Sequence, residues 1–210
     1  MKAFRIFAVL SAAISVAASA SAAQQPNPAA VDVVDAIECR LDAPTYNGFA
    51  LELNGEEKIA ETRHWRRIVT KNPFMNEYEL PMPITVAGLY NTRRIAFTAS
   101  GVVAILDLPD PTKLASEQGI KNAADPSPLI EAMIASGKAT PQEIEMATKS
   151  RKFLGEKILV DRTEKPAAGE SFGTHMVIGR NVSNVATHPG KTLYGCSYRI
   201  EPVDKDGQPL

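Results

Sequence analysis

Aromatic side chains make up only 6% of this chain, tryptophan occurs once and histidine three times. That scarcity leaves few of the groups from which stacking platforms, metal cages and general bases are built. Locally encoded catalytic motifs are missing as well. The sequence contains no Gly-x-Ser-x-Gly, Ser-x-x-Lys, His-Glu-x-x-His or Cys-x-x-Cys, and no phosphate-cradling glycine loop. The motif-based routes to serine hydrolases, penicillin-recognising enzymes, zinc proteases and thioredoxin-like oxidoreductases are thereby closed. His64, His175 and His188 stand at no metal-ligand spacing from one another, so neither a metal nor another cofactor is expected. Beyond the N-terminus the best apolar run is Gly101 to Leu106, far short of the ~20 residues of a membrane-crossing helix. No transmembrane segment is expected in the mature chain.

What the chain does contain first is an address. Lys2 and Arg5 precede a largely apolar run from Ile6 to Val16, and a string of alanine and serine follows to Ala23. Residues 1–23 therefore read as a secretory signal peptide cleaved near Ala23, with an uncleaved anchor as the competing reading. The expected location is a bacterial periplasm or the cell exterior. Loss of Lys2 and Arg5 takes the formal charge from −1 to −3. A mildly acidic, evenly mixed surface argues against a nucleic-acid partner. In an oxidising compartment Cys39 and Cys196 are expected to form a disulfide, the alternatives being two buried thiols or an intermolecular link.

Residues 24–30 form a polar, proline-broken leader, read as disordered. A single β-rich domain is expected over 31–205, with a short tail at 206–210. Alternating apolar and polar residues predict a strand over Ala36 to Leu41. Asn47-Gly48, followed by the alternating stretch Phe49 to Leu53, predicts a hairpin turn and a second strand, the rival being a helix from Pro44 to Leu53. Further strands are predicted at Trp65–Thr70, Glu77–Val86, Arg94–Ser100 and Val102–Leu108. Ser127-Pro128 opens a predicted helix, and the capping box Thr140-Pro141-Gln142-Glu143 opens a second, running to Phe153 or Leu154. Strand patterns return at Lys157–Arg162, His175–Val182 and Thr192–Val203. The predicted class is α+β and predominantly antiparallel, a sandwich or partly open barrel with two short helices inserted before the last three strands.

The most unusual cluster is Arg63-His64-Trp65-Arg66-Arg67. On a strand Arg63, Trp65 and Arg67 would share one face, and guanidinium groups beside an indole suit an anionic ligand. Arg93 and Arg94 join the candidate site if their hairpin lies alongside. The competing reading makes Trp65 a core residue and the arginines a solvated edge. Asp107/Asp110 and Glu143/Glu145 are explained by turn formation and helix starts. The sequence thus points to an exported, non-catalytic envelope accessory or ligand-binding protein. Its partner would be an envelope component or a small anionic ligand. The alternatives are an exported hydrolase using His64 or His175 with an acidic residue, and a structural or partner-binding module. An exposed apolar patch or a long unpaired edge strand would mark the last.

Overall fold

Two aspartates set the start of the fold. In the computed structural model, which describes residues 27–70, 72–124, 127–137, 140–143 and 152–210, Asp32 accepts a hydrogen bond from the Val34 amide at 2.8 Å. It thereby opens helix α1 (Val33–Ile37). Asp42 accepts from the Thr45 amide at 2.7 Å and opens α2 (Ala43–Leu51), with Pro44 in the first turn, where a missing N–H costs nothing. The signal-peptide reading of residues 1–23 lies outside the described residues. Pro28–Ala30, from the polar leader, form a single 3-10 turn capped by Asn27.

The strand predicted over Ala36–Leu41 is not formed: the segment is the end of α1 and a turn, in which Cys39 takes a left-handed φ of 57°. A five-residue helix is too short to show a 3.6-residue period, so three alternating apolar residues mimic a strand. The Asn47-Gly48 hairpin is likewise absent. The rival helix forms instead, because the Asp42–Pro44 start outweighs one helical glycine. Helix α3 (Ile59–Thr62) follows the turn at Asn54-Gly55.

From here the chain is mostly sheet. The strands are β1 (Arg66–Ile68), β2 (Asn76–Val86), β3 (Tyr90–Phe97), β4 (Gly101–Leu106), β5 (Leu154–Glu164), β6 (Gly173–Ser183) and β7 (Thr192–Val203). Between β4 and β5 lie α4 (Thr112–Glu117) and α5 (Ser127–Ser136). Among the described residues the fold is α+β and predominantly antiparallel, with short helices both before β1 and between β4 and β5; of the two predicted helices, the one opened by Ser127 is α5. The seven strands of the described residues belong to one antiparallel sheet in the order β1-β2-β3-β4-β7-β6-β5, so the two-sheet sandwich, one of the expected forms, is not found among them. The Thr140 capping box forms, with the Glu143 amide donating to Thr140 Oγ1 at 3.3 Å. Residues 144–151 lie outside the described residues, but the second helix does not reach Leu154, where β5 begins.

One face of the sheet carries the main core, in which Ile37, Tyr46 and Phe49 pack on Tyr78, Ile95, Phe97, Val102, Tyr194 and Tyr198. The covering layer thus comes from α1 and α2, with Leu114 of α4 joining it. Tyr46 stacks on Tyr198 with ring centroids 4.1 Å apart, and burial pushes both phenols up. The Cys39–Cys196 disulfide forms and ties this layer to the middle of β7. The opposite face bears only a small cluster of Met75, Ala96, Ile105 and Leu193, with Val103 and Val185 packed against it. No helix among the described residues is long and apolar enough to cross a membrane.

Candidate functional site

The arginine cluster is spread over three settings. Arg63, His64 and Trp65 lie in the turn after α3, with His64 at a φ of 55°, so they do not share the strand geometry predicted for them; β1 begins at Arg66. Arg63 turns inward. Its Nη2 donates to the carbonyls of Ala29 and Val31, both at 2.7 Å, and its guanidinium lies over the rings of Phe49 and Trp65 at 5.6 and 5.5 Å. Trp65 is half-buried and stacks on Phe97 with centroids 6.3 Å apart. His64 is exposed. Arg63 and Trp65 thus pack on the protein itself, while Arg66 and Arg67 lie exposed on the end strand β1.

The remaining four arginines flank β2. Glu79 sits opposite Arg66 on β1 and Arg94 on β3. Arg66 pairs with Glu79 and Arg94 with Glu77, while Arg67 donates to Asn76 at 2.9 Å and Arg93 to the Leu80 carbonyl at 2.9 Å. β2 therefore places two carboxylates among four arginines: Arg66 and Arg94 are ion-paired, while Arg67 and Arg93 are held by neutral acceptors. Arg63→Lys is expected to cost about 1–2 kcal/mol in urea denaturation, because an ammonium cannot reproduce the fork to two carbonyls. Arg66→Ala, at an exposed pair, should cost under about 0.5 kcal/mol in the same assay.

Sequence reasoning did not foresee the role of His188. The connection from β6 to β7 folds back over the open face, seating Val185 on the small apolar cluster and His188 on Glu77. His188 Nε2 lies 2.7 Å from Glu77 Oε1, and Thr187 Oγ1 lies 3.0 Å from His188 Nδ1. Both His188 and Glu77 are buried. Burial alone pushes the Glu77 carboxyl up, but hydrogen bonds from Thr70, His188 and Arg94 outweigh it and hold the group below its ordinary range. With Glu77 ionised, the ring Nε2–H of His188 donates to its carboxylate. The two partners stand 111 residues apart, so no local pattern could have announced them. His175, half-buried, meets the exposed Asp161 at 2.9 Å across β5 and β6.

Beside this folded-back connection the open face holds a groove of about 440 Å³. Its walls are the loop before β2, the β3–β4 turn and the start of β5. Phe74 and Leu154 stand at its rim, 82% and 60% exposed, with Met75 and Val185 below them. The floor is polar: Glu156 accepts from Ser197 Oγ at 2.8 Å and from Arg199 at 2.9 and 3.1 Å. Burial raises the Glu156 carboxyl, and those bonds more than offset it, so it stays ionised. An apolar rim over a charged, internally paired floor suits an amphipathic partner, whose apolar groups gain by burial while its polar groups meet ready-made donors and acceptors. Neither His175–Asp161 nor His188–Glu77 lines it. Among the described residues no group of three or more histidine, cysteine or carboxylate side chains is arranged to hold a metal. No protein-family model, no curated protein and no solved structure matches the chain.

Proposed function

We propose that this chain is an exported, disulfide-closed binding protein of the bacterial envelope whose open sheet face receives a partner protein. The observation that carries the reading is the groove rimmed by Phe74 and Leu154, two large apolar side chains left in water beside a strand at the edge of the sheet. Contiguous apolar surface of this kind stabilises a complex when covered and otherwise only lowers solubility. The signal-like residues 1–23 and the disulfide support an oxidising location. A protein partner is favoured over a small anionic ligand because the arginines that would hold an anion are answered by Glu77, Glu79, Asn76 and backbone carbonyls.

The test is photocrosslinking in the cells that make the protein. A benzophenone side chain replacing Phe74 is expected to give discrete higher-mass adducts, lost when Leu154→Glu is added. The same probe at Leu51, exposed on α2, should give none. Phe74→Glu should leave the unfolding midpoint unchanged to within about 0.5 kcal/mol, since the ring is exposed. Equal adducts at both positions, or none at Phe74, would reject the groove.

A further inference from the structure

The groove ends on β5, and the character of that strand narrows the partner. β5 is an end strand of eleven residues, hydrogen-bonded to β6 on one side. On its other side, among the described residues, its backbone is met only at Leu154, whose carbonyl accepts from the Ala123 amide at 2.8 Å. From Glu156 onward the edge is open, and Ile158, Leu159 and Val160 are all exposed.

Its charges are sorted by face. Glu156 reaches Ser197 and Arg199 on the groove side, while Lys157 Nζ donates to the Gln118 carbonyl on the helix side. At Leu159 a β-bulge interrupts the alternation: Ile158 pairs with Gly179 and Val160 with Ile178. Ile178 belongs to the main core, so Val160 and Arg162 point to the helix side, and Asp161, bonded to His175, points to the groove side. The groove face of the edge thus carries the carboxylates Glu156, paired with Arg199, and Asp161, while the helix face carries Lys157 and Arg162, the latter paired with Glu164 at the end of the strand. Asp161 and Arg162 each have 66% of the side chain in water.

This arrangement rules against a second copy of the chain. Antiparallel self-pairing that brings the middle of β5 onto itself, with faces matched, sets Glu156 against Asp161 or Lys157 against Arg162. Like charges directly opposite destabilise a strand pair. The same residues that block self-association favour a complementary strand, which is how specificity is built by repulsion as well as attraction.

We propose, resting on the binding reading above, that β5 takes up an extended partner segment as an eighth antiparallel strand. That segment carries basic residues on the groove face and acidic residues on the helix face, about an apolar centre opposite Ile158 and Val160. Main-chain hydrogen bonds supply the attachment and the face-sorted charges the selection. Read antiparallel to β5, the matching sequence is Thr-Glu-Lys-Val-Val-Glu-Lys, and Thr-Lys-Glu-Val-Val-Lys-Glu has the same composition with every charge misplaced.

Fluorescence anisotropy with the two labelled peptides, on the intact oxidised protein at low salt, is the test. The matched peptide is expected to bind about tenfold more tightly than the misplaced one. The double variant Asp161→Lys/Arg162→Glu, altering exposed side chains only, should shrink or reverse that preference. Ile158→Lys/Val160→Lys should abolish saturable binding of both peptides. Equal binding of the two peptides, a preference indifferent to the Asp161/Arg162 exchange, or no saturable binding to the wild-type protein would each overturn the strand-addition proposal. Adducts at Phe74 alongside a failed peptide assay would leave the groove standing and discard only the strand.

Discussion

Replacing Cys39 and Cys196 together by serine is expected to lower the stability of the fold by about 2–5 kcal/mol, read from urea unfolding with midpoint and slope both fitted, since the unlinked denatured chain is less compact. The two cysteines are 157 residues apart, and closing so long a loop restricts the unfolded chain strongly in the chain-entropy account. The effect should exceed that of an ordinary core truncation for a structural reason as well. α1 has only five residues, and Cys39 beyond it holds a left-handed backbone that a side chain disfavours. Without the bond, that turn relaxes and the Tyr46–Tyr198 stack beside it loosens. Reductant added to the wild-type protein should reproduce most of the loss. A midpoint that moves by less than about 1 kcal/mol would mean that packing alone holds the helical layer in place.

Glu77→Gln is expected to be nearly as costly, about 2–4 kcal/mol, because it leaves Arg94 beside a neutral amide and puts one amide oxygen and an NH2 donor where two carboxylate oxygens accepted from Arg94 and His188. The loss should depend on pH. Glu77 has a lower pKa folded than unfolded, so across the carboxylate range the unfolded chain binds the extra proton. Its contribution is complete above the unfolded carboxylate pKa of about 4.3 and disappears as pH falls through the lower folded value. Urea unfolding at pH 7 should therefore separate wild type from Glu77→Gln by the full amount, with the two curves converging once pH falls below the lowered folded value. A gap that persists unchanged in acid would show that shape, not charge, makes Glu77 matter.

Most of the sheet was legible in the sequence because its strands are long enough to display their period. β2, β6 and β7 were predicted within two residues at each end, whereas β3 begins four residues and β5 three residues before the predicted strands. The wrong element type was predicted where the helices are short. Five residues of α1 cannot display a helical repeat, although Asp32 and the Asp42–Pro44 pair carried the capping signal that would have placed both helices. The candidate site was less legible still. Arg63 to Arg67 drew attention as a charge run, yet what those side chains do depends on Asn76, Glu79 and the Ala29 and Val31 carbonyls, distant in sequence or silent in it. Phe74, Leu154 and Glu156 converge only through the strand order, which one-dimensional patterns do not encode.

The strand order has a consequence for how the molecule is assembled. β7, the last strand, occupies the interior of the sheet between β4 and β6, and it also carries the cysteine that Cys39 requires. Until it arrives, the first four strands present a raw edge at β4, the β5–β6 hairpin has nothing to join, and Glu77 lacks its histidine. The keystone is placed last. Native contacts therefore span much of the chain, which slows folding relative to a meander of the same size and defers commitment until the C-terminal quarter is present. A chain ordered in this way stays unlocked along most of its length during synthesis, and closes in one step when its final strand slots home.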